Sequence, residues 1–86
     1  MKVKKLIKKL KPYQAVAIYS NDYKLIETKF ACNFFRGYPY DHDTFFIMEA
    51  HIKKIRFRYD ELKNLINQPT KVITLELYTD LKYKGE

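Results

Sequence analysis

Val3, Leu6, Ile7 and Leu10 fall at i, i+3, i+4 and i+7, and Pro12 stands just beyond them. That spacing puts four apolar side chains on one face of a helix and leaves Lys2, Lys4, Lys5, Lys8 and Lys9 on the others. A proline pushes the residue before it out of helical geometry. A helix is therefore predicted over residues 2–11, and its apolar face must lie against something. With 86 residues the chain is long enough for one core and too short for two domains.

The sequence after Pro12 supplies a sheet. Tyr13–Ser20 is rich in Val, Ile and Tyr and reads as a strand buried on both faces over Ala15–Ile18. Ser20, Asn21 and Asp22 are turn residues. In the run Tyr23–Phe35, Leu25, Glu27 and Lys29 alternate with Ile26, Thr28 and Phe30. The two runs make a hairpin whose second strand reaches about Ala31 or beyond. Residues 36–43 contain Gly37, Pro39, Asp41 and Asp43 and read as a loop. Thr44–Ala50 fits either a short helix capped by Asp43 or Thr44, which is favoured, or a buried strand.

Ile52–Tyr59 alternates again, with Ile55, Phe57 and Tyr59 expected inward and Lys54, Arg56 and Arg58 outward. Tyr59–Asn67 carries Leu62, Leu65 and Ile66 at helical spacing, with Asp60 as a cap. Val72–Tyr78 is the last strand, with Ile73, Leu75 and Leu77 inward, and Leu81–Glu86 reads as a frayed tail. The expected fold is α+β, a single domain over residues 1–86. It has an antiparallel sheet of about four strands, the N-terminal amphipathic helix packed on one face, and one or two short helices.

The net charge is +7 and is unevenly spread: six of the 17 basic residues and none of the 10 acidic ones lie in residues 1–11. Three readings follow for the lysines: a solvated face, contacts to phosphate or to an acidic protein surface, or a membrane surface. The membrane reading is weakest, because the apolar face has four residues and no aromatic anchor. Only three basic residues are Arg, the side chain suited to bidentate base or phosphate recognition.

At 47% hydrophobic residues the chain is too apolar to be disordered. The single cysteine, Cys32, has no internal disulfide partner, points to a reducing compartment and reads as a buried, inert thiol. No apolar run of signal-peptide length follows the basic start. Ala15–Tyr19 and Phe45–Met48 are too short to span a bilayer. A cytoplasmic protein without membrane contact is expected.

None of the common nucleotide-binding, nucleophile-elbow, zinc-protease or dithiol motifs occurs. Asp41, His42 and Asp43 form the one acid–base cluster. In an extended loop both carboxylates would face away from His42, which is poor geometry for a chelate. No catalytic residue, metal or cofactor is expected. Arg36-Gly37-Tyr38 opens like an RNA-recognition signature, but Pro39 and Asp41 break it. What remains is a loop with Arg36, Tyr38 and Tyr40, residue types enriched at binding hot spots and in base stacking.

MKVKKLIKKL, then AVAIYSNDYKLIE, then HIKKIRF and VITLELY resembles a group of small phage and prophage proteins of unassigned function. The resemblance implies a stoichiometric inhibitor that docks on a host protein or protein–RNA complex, in the manner of anti-CRISPR proteins. A basic chain is a poor mimic of nucleic acid, so the expected contact is guide RNA or an acidic groove. The partner-binding residues would be Arg36, Tyr38, Tyr40, Lys54, Arg56 and Arg58. The alternative is a low-specificity nucleic-acid binder using Lys2, Lys4, Lys5, Lys8 and Lys9 with the basic strand.

Overall fold

Apolar alternation over residues 15–30 produces the hairpin it predicts. In the computed structural model, which describes residues 1–63 and 69–83, β1 (Ala15–Tyr19) pairs antiparallel with β2 (Leu25–Phe30). Helix α1 (Val3–Ile7) precedes them. After them come α2 (Ala31–Gly37), α3 (His42–Glu49), β3 (Ile52–Lys63) and β4 (Pro69–Thr79). The sheet order is β2-β1-β4-β3.

The α+β class and the four strands match expectation, but the sheet is mixed. β3 and β4 are antiparallel, while β4 runs parallel to β1, with Val16 beside Leu75 and Ile18 beside Leu77. The cause lies in the connection. α2 and α3 carry the chain back across one face, so β3 runs in the direction of β2, and β4 runs with β1. β4 takes the centre because Thr74, Leu75, Glu76 and Leu77 are all buried there.

The core sits on one side of the sheet. Val16, Ile18, Leu75 and Leu77 form its floor, and Val3, Ile7, Ala31, Phe34, Ile47 and Met48 form its roof. α1 packs as expected but is shorter than residues 2–11. Beyond Ile7 the amides of Lys9 and Leu10 bond the carbonyls of Leu6 and Ile7, a tighter winding that leads into Pro12. The chain before α1 is tied down too: the Val3 amide donates to Ala50 and the Ile52 amide to Met1.

Two segments depart from expectation. β2 ends at Phe30, and residues 31–37 are helical rather than strand and loop. Ala31 and Phe34 are buried, and Phe35 and Tyr38 pack against the core. Those four positions share a helical stripe that outweighs the preceding strand alternation. Likewise Tyr59–Lys63 extends β3 instead of starting a helix, paired from Tyr59 opposite Ile73 to Lys63 opposite Pro69. An unbroken ladder to β4 overrides local helical spacing; Leu65, Ile66 and Asn67 of that expected helix lie outside the described residues.

α3 is the favoured short helix, begun earlier than Thr44. Asp41 holds the N-cap position, and its carboxylate accepts the Thr44 hydroxyl at 2.5 Å. That hydroxyl holds the Asp41 carboxyl below its ordinary range. Gly37 has no room for a side chain, since an added Cβ would lie 2.8 Å from the Asp41 Cβ. Gly37→Ala is expected to cost about 1–3 kcal/mol through overpacking, read as a lower urea midpoint. The Tyr38–Pro39 peptide is cis. After β4, Leu81 is held rather than frayed, packing on the core and accepting the Asn21 amide at 2.7 Å.

Candidate interaction surface on the edge strand

β3 is one of the two outer strands, β2 being the other, and its side chains alternate as its sequence predicts. Ile55, Phe57 and Tyr59 stand opposite Leu77, Leu75 and Ile73, so they belong to the core face of the sheet. Their burial is not as expected. Ile55 is 46% exposed, Phe57 59%, Tyr59 70% and Ile73 42%. The helical layer roofs β1 and β4 and leaves β3 bare. α1, α2 and α3 have five, seven and eight residues and are too short to cover four strands.

Lys54, Arg56 and Arg58 occupy the opposite face, across from Tyr78, Glu76 and Thr74. Glu76 is nearly buried and accepts hydrogen bonds from the hydroxyls of Tyr19 (3.0 Å) and Tyr78 (3.3 Å) and from Arg58 Nη1 (3.5 Å). Burial first, and then Glu76 (by its hydrogen bond to Tyr19 and its charge beside Tyr78), push both tyrosine hydroxyls up in pKa. The Tyr19 and Tyr78 rings stack at 4.8 Å, and Lys54 Nζ lies 6.0 Å from the Tyr78 ring centre. Among the described residues Arg58 pairs with the Glu76 carboxylate, and Lys54 and Arg56 have no ion pair there.

The other expected contact residues do not form one surface. Arg36 is exposed at the end of α2, and Tyr40 is 93% exposed. Tyr38 instead joins α1 to α3. Its ring stacks on Phe45 at 6.0 Å, and its hydroxyl donates to Glu49 at 2.5 Å. Lys2 and Lys4 also belong to this clamp, 2.9 and 2.7 Å from the Glu49 carboxylate. Lys2, Lys4 and the Tyr38 hydroxyl together hold the Glu49 carboxyl down to about 2. Lys5, Lys8 and Lys9 are exposed and make no ion pair among the described residues. They ride on the helix-bearing side of the sheet, opposite the Lys54, Arg56 and Arg58 row.

Cys32 is half-buried rather than buried, with Sγ 3.6 Å from Asn33 Oδ1. His42 packs against the Phe46 ring at 4.7 Å, with Nδ1 3.9 Å from Asp43. Among the described residues no three His, Cys, Asp or Glu side chains converge to hold a metal ion. Nor is any described helix long and apolar enough to cross a membrane. A cleft of about 400 Å³ opens beside α3, walled by Phe46, Ile47, Leu81 and Tyr83, and none of the expected contact residues lines it.

Sequence reasoning named the basic row of β3 but missed its apolar row as a surface. The available signal was the shortness of the helical segments, which cannot roof a fourth strand. No protein-family model, curated protein or solved structure matches this chain.

Proposed function

We propose that the protein works without catalysis, by docking stoichiometrically on another protein or protein–RNA complex through β3. This is the mode of action that the resemblance to small phage and prophage proteins of unassigned function implies. The observation that carries it is the bare row of Ile55, Phe57, Tyr59 and Ile73 on the outer part of the sheet. Scattered exposed apolar residues are ordinary, but a contiguous apolar row along one face of an edge strand marks an interaction site. Covering one such side chain fully contributes about 1.5–3 kcal/mol. These four are 42–70% exposed, so about half of that is still to be gained from each, and backbone and charge contacts must add to it to reach the roughly 8 kcal/mol of a micromolar complex.

The test is capture of a defined complex by the wild-type protein and by Ile55→Ser/Phe57→Ser. Both positions are exposed, so the variant is expected to fold normally and to lose at least about tenfold in affinity, about 1.4 kcal/mol. The wild-type complex should survive nuclease. A second reading rests on Lys5, Lys8 and Lys9, which have no carboxylate partner among the described residues. If nuclease abolishes every complex and the double variant binds normally, those lysines carry a nucleic-acid surface instead. Its affinity would then fall with salt at a log–log slope of about −0.9 per duplex phosphate contacted.

A further inference from the structure

We propose that β3 takes an extended segment of another protein in which apolar and acidic residues alternate, added as a fifth strand at the sheet edge. The inference rests on the docking reading above and names the chemistry of its partner. β3 is outermost in the order β2-β1-β4-β3, and every residue from Lys53 to Tyr59 is exposed. The Met1 carbonyl takes the Ile52 amide at the start of that edge, and from Lys53 to Tyr59 no described helix or loop covers it, so its outward backbone groups there can pair with an incoming chain.

The side chains specify which chain. A strand beside β3 sends alternate residues to the two faces of the sheet. On one face they meet Ile55, Phe57 and Tyr59, which calls for apolar groups. On the other they meet Lys54, Arg56 and Arg58, which calls for Asp or Glu. Arg58 is already engaged, with Glu76 among its partners, so the charge offered to an incoming strand is that of Lys54 and Arg56. A hollow of about 280 Å³ at the start of β3, lined by Met1, Ile52, Lys53, Lys54 and Ile55, has room for a partner side chain.

The same charges argue against a second copy of this chain. Antiparallel self-pairing centred on Phe57 would set Arg56 of each copy against Arg58 of the other, and like charges directly opposite are destabilising. A helical partner would cover the apolar row but could not also place carboxylates on the far face of the sheet.

The full chain would be titrated with labelled, capped nine-residue peptides, kept at concentrations where light scattering shows them monomeric. One alternates Val and Glu, and a second has the same composition in two blocks. A third alternates Ser and Glu, and a fourth Val and Lys. The Val-Glu peptide is expected to bind at least tenfold more tightly than the others and to slow hydrogen exchange at alternate β3 amides. Lys54→Glu/Arg56→Glu should lose the Val-Glu peptide and gain the Val-Lys peptide.

Equal binding of the block peptide would overturn strand addition, because charge alone would then suffice. A helical acidic peptide that binds better, and is lost in Phe57→Ser, would overturn strand addition while leaving the docking reading intact. So would a dimer of the free protein in sedimentation that Phe57→Ser dissolves, which would make a second copy the occupant. If no binding depends on Phe57 and all binding is nuclease-sensitive, both the strand and the docking reading fall.

Discussion

Phe34→Ala is expected to remove about 3–5 kcal/mol of stability, the cost of truncating a fully buried aromatic side chain and leaving a cavity. Phe34 is 0% exposed and is the largest fully buried side chain among the described residues. It hangs from α2 into the core between the sheet and the other helices, and Lys29 Nζ lies 5.8 Å from its ring centre. A chain this short draws its stability from a few large side chains. Against a total of roughly 5–15 kcal/mol, the loss takes about a fifth or more of the fold's margin. Urea unfolding at 25 °C should show the midpoint collapsing. Phe57→Ala, 59% exposed on β3, serves as the control and should stay within about 0.5 kcal/mol of wild type.

Acid should weaken the protein through Glu49, and Glu49→Gln should flatten that dependence. The Glu49 carboxyl falls from its ordinary 4.5 to about 2 in the folded chain, held first by Lys2, then by Lys4 and the Tyr38 hydroxyl. A depressed carboxyl contributes stability that is fully present above its unfolded value and is lost as pH falls through its folded value. The window therefore runs from about 4.5 down to about 2. The physical event is release of the clamp that ties α1 to α3, because a protonated carboxyl no longer attracts the two lysines. Urea midpoints of wild type and Glu49→Gln, measured from pH 7 to pH 2, should converge at the acid end. The Glu49 side chain is partly exposed, so added salt should shrink the difference at pH 7.

The elements that follow local rules were legible in the sequence. Val3 and Ile7 with Pro12 gave α1, Ser20–Asp22 gave the hairpin turn, and the alternation of Ile52–Tyr59 gave β3 with its basic row on one side. Elsewhere two local rules competed. Ala31, Phe34, Phe35 and Tyr38 share a helical stripe, but Phe30 before them carries no side-chain cap to announce the change. Leu62 sits in a helix-like run whose backbone is instead claimed by pairing with Thr70. Pairing is non-local: nothing within β4 says that it will lie beside β1, and that choice makes Thr74 and Glu76 as buried as Leu75.

The proposed contact surface is half legible in the sequence for the same reason. The basic row depends on strand period alone and was seen. The exposure of Phe57 depends on how far three short helices reach, a property of the assembled layer. Tyr38 was offered as a contact residue because its neighbours Gly37 and Pro39 suggested a loop. Its place in the α2 stripe turned it inward to Glu49.

The parallel pairing of β1 with β4 sets the order in which the molecule can come into being. Its two middle strands lie near opposite ends of the described chain, so the sheet has no centre until residue 79 has emerged from the ribosome. Until then the first hairpin waits with an open edge and a half-built interior, much as nascent chains do when they recruit chaperones. Closure over so long a separation places this small protein among the slower folders of its size.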